Sequence, residues 1–328
     1  MQLIVLMLVL GFTLTPLAVH AQPAGRQVKI GVLCARACTF GGGTAGYRPL
    51  IDALERVGLV QGRSLVWDIG GVAASENQIN AEAVKLVSRR PDLILVWSGN
   101  VAAARAAKDA THTIPIVLMA VPDAVEHGLV ASLARPGGNI TGTSIPIYDL
   151  TIKQVEVLKE INPRLKGIVV VHGELDRAER QTMDRLRGAA ASLQLGITAS
   201  DLGNVEQALA KAPAGASTVL TIGNIPYVIE RRIRQLALER KVPLIMPWRP
   251  WEGAAGLGTA VIAYGPRFSA VAERTAALID RIVRGSRPAD LPVEQMTSYE
   301  LIIDGVMAKA LGLTIPQSVL LRADQVIE

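Results

Sequence analysis

The polar residues of this chain that could bind a ligand follow short apolar runs of the kind that form buried strands. Ser98 and Gly99 come after one such run, and Asn100 precedes a helical pattern from Val101 to Ala110. Free backbone N–H groups and the helix dipole at this turn favour an anion, such as a ligand carboxylate. The alternative is that Ser98 or Asn100 only caps the helix.

Three further turns carry polar side chains at the ends of apolar runs. Asp123 could bind a ligand ammonium, or it could form a helix capping pair with Glu126 three residues later. His172 is a candidate cleft residue, with a purely structural histidine as the alternative. Asn224 follows Gly223 and offers both a donor and an acceptor, although a plain helix cap is equally consistent with it.

Aromatic residues make up only 4% of the chain, so their positions are informative. Several fall near predicted strand ends or chain crossings, where they could stack on a flat ligand. They are Phe40, Tyr47, Trp97, Tyr148, Trp248 and Tyr264. Trp97 and Trp248 are also compatible with a place in the core or at an interface.

The common catalytic and cofactor motifs do not occur. The glycine run Gly41 to Gly43 lacks the lysine of a Walker loop, and no G-x-G-x-x-G follows the first strand. No G-x-S-x-G is found, and no histidine pair has the helical spacing of metal ligands. We therefore predict no catalytic residue, no cofactor and no metal. Cys34 and Cys38, the two cysteines, could form a local disulfide or remain free thiols.

The charge balance does not indicate a nucleic-acid partner. The net charge is +5, but aromatic residues are scarce and no nucleic-acid-binding module is visible. The arginine clusters are expected to lie on solvated helix faces. Half of the residues are hydrophobic, which is typical of a sheet buried on both faces.

Short apolar runs alternate with helical patterns along most of the chain, which predicts repeated βαβ units and parallel sheets. Five strands are predicted in the first half, at Val28 to Leu33, Ser64 to Ile69, Leu93 to Trp97, Ile114 to Val121 and Ile140 to Thr143. Five more follow, at Gly167 to Val171, Gly196 to Ser200, Ser217 to Ile222, Pro243 to Met246 and Thr259 to Tyr264. The two units predict an α/β protein with two Rossmann-like lobes and a cleft at the carboxyl ends of the strands.

The helices are predicted from periodicity and from their end signals. The first covers Tyr47 to Val57 and ends at Gly58, and capping pairs are expected at Ser75 with Gln78 and at Asn204 with Gln207. A long helix with one apolar face runs from Phe268 to Ile282.

The first 21 residues have no acidic or basic side chain and end in Val19-His20-Ala21, a pattern typical of a cleaved signal peptide. The apolar run within these residues, which begins with Leu3 to Leu10, is shorter than the roughly 20 residues that a membrane-spanning helix needs. We therefore expect export to the periplasm.

Three segments carry a resemblance to a known family. Leu129 to Gly142 reads LVASLARPGGNITG, Pro288 to Gln295 reads PADLPVEQ and Ala308 to Pro316 reads AKALGLTIP. In these segments the chain resembles bacterial ABC-transporter substrate-binding proteins of the tryptophan/tyrosine type.

The resemblance implies a type I periplasmic-binding-protein fold, in which the chain crosses three times between lobes that close on a small-molecule ligand. The implied N-terminal lobe covers residues 27–144 plus about 265–290, and the C-terminal lobe covers 145–264 plus about 291–328. The implied partners are an ABC permease and its ATPase, and a monomer is expected. The implied pocket lies at the strand-to-helix turns, with Thr39, Phe40, Ser98, Gly99, Val121, Asp123, His172, Asn224 and Tyr264.

Two turns depart from the family pattern, namely Cys34 to Gly43 and Gly223-Asn224, so the resemblance leaves the identity of the ligand open. Two other functions remain open. One is a ligand-sensing subunit of a membrane receptor, which a neighbouring kinase gene would indicate. The other is an enzyme on the same scaffold, such as a sugar-nucleotide transferase, which the absent motifs disfavour.

Overall fold

The computed structural model describes residues 26–33, 48–70, 76–97, 101–173, 175, 177–213, 215–222, 225, 227–246 and 260–328. Within these ranges the strands form two separate sheets, one for each half of the predicted alternation. The ten predicted strands all occur, with bounds that agree to within two residues.

The first sheet contains six strands in the order β11-β5-β4-β3-β1-β2, all paired in parallel. Its strands are β1 Val28–Leu33, β2 Leu65–Ile69, β3 Leu93–Val96, β4 Ile116–Pro122, β5 Ile140–Ile145 and β11 Glu294–Gln295. Four helices belong to it, α1 Arg48–Arg56, α2 Glu76–Ser88, α3 Val101–Ala110 and α8 Phe268–Val283.

Both faces of this sheet are covered by helices, which explains its continuous apolar strands. Leu93 and Leu95 of β3 point to the core formed with α1 and α8, whereas Ile94 and Val96 point to the core formed with α2 and α3. All four side chains are fully buried. The strand period of two therefore divides one apolar run between two cores.

The second sheet contains seven strands in the order β13-β12-β10-β9-β8-β6-β7. They are β6 Gly167–His172, β7 Gly196–Asp201, β8 Ser217–Ile222, β9 Leu244–Met246, β10 Ala260–Gly265, β12 Glu300–Asp304 and β13 Gln325–Ile327. The associated helices are α4 Ile147–Ile161, α5 Arg177–Ser192, α6 Val205–Lys211, α7 Tyr227–Glu239, α9 Gly305–Ala310 and α10 Gln317–Leu320. A short 3-10 helix covers Pro288–Asp290.

The sequence did not predict β11, β12 and β13, and β12 makes the second sheet mixed because it runs antiparallel to β10. The omission has a physical reason. β11 and β13 contain only two and three residues, and β12 has a three-residue apolar centre between Glu300 and Asp304. Such short runs gain their strand conformation from pairing with a neighbour, which periodicity cannot detect.

The chain passes between the two sheets three times. The first passage is at α4, the second returns through α8 to pack on β4 and β5, and the third follows β11, which pairs with β5. The predicted limits of the two lobes stay a prediction, and β11 belongs to the first sheet through its pairing with β5.

Hydrogen bonds of Asn139 give a structural role to part of the segment 129–142, which carries the family resemblance. The Nδ2 atom of Asn139 donates to the carbonyl oxygens of Thr111 (3.1 Å) and Ile114 (2.7 Å). These bonds fix the loop that leads into β4 against the one that leads into β5. Gly142 has φ of 139°, a conformation that residues with a side chain rarely adopt.

The capping pair predicted at Asn204 and Gln207 is wrong. Asn204 does stand before α6, but its side chain makes no capping hydrogen bond to the helix. Its Nδ2 atom instead donates to the two carboxylate oxygens of Asp201, at 3.0 and 2.9 Å. A helix cap would use the Oδ1 atom of Asn204 as an acceptor, whereas here the Nδ2 atom of the same side chain is a donor to the end of β7.

Asp304 caps α9, since its Oδ1 atom accepts a hydrogen bond of 2.8 Å from the backbone N–H of Met307. We expect Asp304→Ala to lower the free energy of unfolding by about 1 kcal/mol, because one helix N–H loses its acceptor. Asp304→Asn keeps an acceptor oxygen and should cost less than half as much. Urea denaturation of the two variants measures the difference, and equal losses would show that the cap contributes nothing.

Candidate functional site

The carboxyl ends of the strands bring two of the predicted site residues, Asp123 and Tyr264, to the region where the two halves of the chain meet. Asp123 follows the end of β4, and Tyr264 is the penultimate residue of β10. Asp149 lies in the first turn of α4, the helix of the first crossing. Tyr299 precedes β12. Electrostatic effects connect these four residues. Desolvation is the largest cause that raises the pKa of Tyr299, and Tyr264, Asp149 and Asp123 each raise it further.

The backbone holds Asp123 in an unusual conformation. Its φ is 38°, in the left-handed region, which aspartate tolerates better than most residues. Its N–H donates to the carbonyl of Ile145 and its carbonyl accepts from the N–H of His127, both at 3.0 Å. Residues 123–128 form turns rather than a helix, so the capping pair with Glu126 that we considered is wrong.

The carboxylate of Asp123 is only partly satisfied. The backbone N–H of Ile147, the first residue of α4, donates to it, but its Oδ2 atom is buried and has no hydrogen-bond partner. A buried acceptor without a donor is costly, and most such atoms in folded proteins have a partner. This oxygen therefore marks a position where a donor from a bound molecule would be favourable.

The surroundings of Asp123 disfavour its negative charge. Burial is the main cause that raises its pKa to about 7, and repulsion by Glu126 and Asp149 adds to it. Attraction by Arg185 and the hydrogen bond from Ile147 oppose the rise. Arg185 belongs to α5 of the second half, so groups from both halves of the chain act on this one carboxyl group.

Aromatic rings line the same region. Tyr264 and Tyr299 have ring centroids 5.8 Å apart, and Trp97 and Phe268 have centroids 5.9 Å apart. The tilted geometry of both pairs, with interplanar angles of 52° and 60°, is typical of favourable aromatic contacts. Tyr148 is partly buried and packs against the core formed with α1 and α8. Trp97, Phe268 and Tyr299 pack against the same core.

The sequence missed two of these rings. Tyr299 precedes the unpredicted strand β12, so nothing along the chain indicated that it would meet Tyr264. Phe268 was assigned to the apolar face of a helix, and it does pack on the core, but its ring also contacts Trp97. The sequence could indicate such rings only by the position of aromatic residues near predicted strand ends or chain crossings. That criterion selected Trp97, Tyr148 and Tyr264.

Two other predicted site residues lie in different surroundings. Val121 is fully buried in the core between the first sheet and α2 and α3, and its carbonyl accepts a 3.0 Å hydrogen bond from the Ser144 hydroxyl. His172 is half-buried at the end of β6, opposite Asp201 of β7, and its charge lowers the pKa of Asp201 as a minor cause behind the hydrogen bond from Asn204. Its Nδ1 atom lies 2.8 Å from the carbonyl oxygen of Gly173.

The remaining predicted site residues, Thr39, Phe40, Ser98, Gly99 and Asn224, lie outside the described residues, as do Cys34, Cys38 and the expected signal peptide. In the described part of the chain, no group of three or more His, Cys, Asp or Glu side chains is arranged to hold a metal ion. Across those same residues, no helix has both the length and the apolar composition to cross a membrane.

Comparisons with known proteins agree with this architecture. The family model described as ABC transporter substrate binding protein matches residues 42–327. A curated protein from Clostridioides difficile, named tyrosine-binding protein, is 30% identical over 270 residues, which cover 80% of this chain and 75% of the relative.

Solved structures show the same fold. An ABC domain from Streptococcus pneumoniae, crystallised with L-Trp, superposes with a TM-score of 0.75 at 21% identity and covers 92% of this chain and 100% of its own. A conserved domain protein from Vibrio cholerae has a TM-score of 0.74 at 25% identity and covers 92% of this chain and 99% of its own. The predicted two-lobed α/β fold of the type I periplasmic-binding proteins is thereby confirmed.

Proposed function

Because the chain belongs to the family of ABC transporter substrate binding proteins, we propose that it captures an aromatic amino acid between its lobes and delivers it to an ABC permease. The observation that carries this proposal is the buried, unpartnered Oδ2 atom of Asp123, which lies among charged and aromatic residues of both halves. The tyrosine-binding relative at 30% identity supports the ligand class.

The ammonium group of an amino acid fits the requirement of Asp123. It supplies a charged donor to an oxygen that has none, and the interaction is strong because both partners are removed from water. It also compensates the repulsion from Glu126 and Asp149, which are negatively charged neighbours of Asp123. A neutral or anionic group at this position would leave that repulsion uncompensated.

The aromatic residues define the rest of the pocket. The rings of Tyr264, Tyr299, Trp97 and Phe268 offer apolar faces and edges to a flat side chain. For the ligand carboxylate we propose the turn of Ser98 and Gly99, where the N-terminus of α3 provides a favourable dipole. Thr39, Phe40, His172 and Asn224 complete the proposed wall, and Val121 supports it from the core.

Capture requires no chemical step. A ligand that contacts both lobes stabilises the closed arrangement by its differential affinity for that state. Arg185 of α5 acts electrostatically on Asp123, which follows β4, so a change in lobe distance alters the field at the carboxylate. We propose that the closed form is presented to the permease and its ATPase in the periplasm, by a monomer that has no enzymatic activity.

Titration calorimetry at pH 8 with L-tyrosine and L-tryptophan tests the function. We expect both to bind, with lobe closure visible as a smaller radius of gyration in X-ray scattering. The matched control is 3-(4-hydroxyphenyl)propionate, which keeps the ring and the carboxylate of tyrosine but lacks the ammonium. It should bind at least about 30-fold more weakly, since a charged hydrogen bond is lost. Absence of binding by either amino acid, or equal binding by the control, would contradict the proposal.

A further inference from the structure

A buried glutamine connects the first two crossings of the chain next to the proposed pocket. Gln154 lies in α4, the helix of the first crossing, and is fully buried. Its Nε2 atom donates a hydrogen bond of 2.9 Å to the backbone carbonyl oxygen of Tyr264. Tyr264 is the penultimate residue of β10, after which the chain returns to the first sheet through α8. The bond therefore ties the end of β10 to α4.

The amide of Gln154 lies in an apolar interior. α4 packs on β9 and β10, and its buried residues include the apolar Val155 and Leu158. The Oε1 atom of Gln154 is buried and has no hydrogen-bond partner. Such an atom costs free energy, and an apolar side chain at this position would avoid that cost. What the amide contributes is therefore the bond from its Nε2 atom to Tyr264.

The carbonyl group of Tyr264 lies where the sheet becomes narrower. On one side of β10, the pairing with β9 stops at Ala263, one residue before Tyr264. On the other side β12 continues, with Leu301 opposite Tyr264. Gln154 therefore supports the end of β10 beyond the last residue that β9 reaches.

The same helix also holds the carboxylate of Asp123. The backbone N–H of Ile147, the first residue of α4, donates to this carboxylate. Gln154 follows two helical turns later, about 10 Å along the helix axis. α4 thus contacts both the carboxylate that we propose for the ligand ammonium and the strand end that carries the Tyr264 ring. That ring lies beside Tyr299, with centroids 5.8 Å apart.

We propose that Gln154 is a positioning residue, which sets the place of the Tyr264 ring relative to Asp123 by holding the end of β10. This inference rests on the proposed function, since it assigns a role in recognition to Tyr264. The ligand class that fits is a molecule whose aromatic ring and ammonium group are a short, fixed distance apart. Aromatic α-amino acids meet this requirement, because a single methylene separates the ring from the carbon that carries the ammonium.

The first test requires no ligand. In protein with ¹³C-labelled tyrosine rings, Tyr264→Phe identifies the Tyr264 signals in a ¹H–¹³C correlation spectrum. Gln154→Met removes the amide but keeps an unbranched side chain of similar length, and we expect it to shift the Tyr264 signals, because the adjacent Tyr299 ring makes them sensitive to position.

Thr151→Val is the matched control for this spectrum. Thr151 is a buried polar residue of the same helix, and its hydroxyl donates to the carbonyl of Ile147 within α4, at 2.8 Å. The control should leave the Tyr264 signals in place. Signals that stay unchanged in Gln154→Met, or that move as far in Thr151→Val, would overturn the inference.

The second test measures the affinity for L-tyrosine by calorimetry. Gln154→Met should weaken binding about tenfold, because the strand end that carries the ring loses one hydrogen bond. Thr151→Val should change the affinity by less than about twofold. In a Tyr264→Ala background, Gln154→Met should have almost no further effect. The melting temperature of Gln154→Met should stay within about 3 °C of the wild type, because removal of the unpartnered oxygen offsets the lost bond.

These outcomes separate positioning from a merely structural role. If Gln154 only stabilised the packing of α4, its substitution would lower the melting temperature further and weaken binding equally with and without the Tyr264 ring. Equal weakening in the two backgrounds would therefore contradict the inference. Failure of the proposed function looks different, because the wild-type protein would then bind no aromatic amino acid, while the Tyr264 signals would still show whether Gln154 positions the ring.

Discussion

Asp123→Asn is expected to weaken the binding of L-tyrosine about 100-fold at pH 8, the largest change in affinity that the proposed site predicts. The substitution removes the charge that pairs with the ligand ammonium but leaves the size of the side chain unchanged. Glu126→Gln is the matched control, because Glu126 is an exposed carboxylate in the same turn. Its effect on affinity should stay below about threefold, as for most exposed charge pairs.

The same substitution should stabilise the ligand-free protein at pH 8, because the folded state disfavours the charge of Asp123. Burial raises the pKa from 3.8 to about 7. Below pH 3.8 the carboxyl is protonated in both states, so it has no effect. Between pH 3.8 and 7 the unfolded state ionises first, which favours unfolding increasingly, and above pH 7 the penalty is constant.

We therefore expect Asp123→Asn to raise the free energy of unfolding by about 1–3 kcal/mol at pH 8, with a gain that vanishes near pH 4. Ligand affinity in the wild type should follow the ionised fraction and fall about tenfold for each pH unit below 7. Urea denaturation and calorimetry at several pH values measure both effects. If Asp123→Asn left the affinity for L-tyrosine unchanged and lowered the free energy of unfolding, Asp123 would not be part of the binding site.

Gly142→Ala is expected to be the most destabilising single change in the described part of the first lobe. A Cβ atom at this position would lie 2.2 Å from the carbonyl oxygen of Leu118, 2.4 Å from its nitrogen and 2.7 Å from its Cα. All three atoms are backbone of the neighbouring strand β4, so they cannot move away without breaking the pairing of β4 with β5.

We expect a loss of at least about 4 kcal/mol, which is exceptional for a single substitution, or no accumulation of folded protein. Gly138→Ala is the control, since a Cβ atom there has no neighbour within 4 Å and the backbone is not left-handed. It should change the free energy of unfolding by less than about 1 kcal/mol. A Gly142→Ala variant as stable as the Gly138→Ala control would show that β4 and β5 are not paired as described.

The sequence predicted the parallel part of the fold well, because apolar runs such as Leu93 to Val96 are long enough and regular enough to be recognised. It did not predict β12, whose strand conformation depends on antiparallel pairing with β10. It also predicted that the Asn204 side chain accepts a hydrogen bond from the helix, whereas that side chain donates to Asp201, which belongs to a strand and not to the helix.

The candidate site could be predicted only in part from the sequence. The rule that ligands bind at the carboxyl ends of parallel strands selected Asp123 and Tyr264 by position. It could not select Tyr299 or Arg185, because their proximity to the site arises from a chain crossing and a helix of the other lobe. The electrostatic state of Asp123 likewise results from neighbours that are distant in the chain.

A crystal structure of the protein with L-tyrosine tests the proposed capture most directly. We predict the amino acid between the two lobes, with its ammonium nitrogen about 2.7–3.2 Å from Asp123 Oδ2 and its ring against Tyr264 and Tyr299. An ammonium group bound elsewhere, with Asp123 Oδ2 still unpartnered, or a tyrosine outside the region between the lobes, would contradict it.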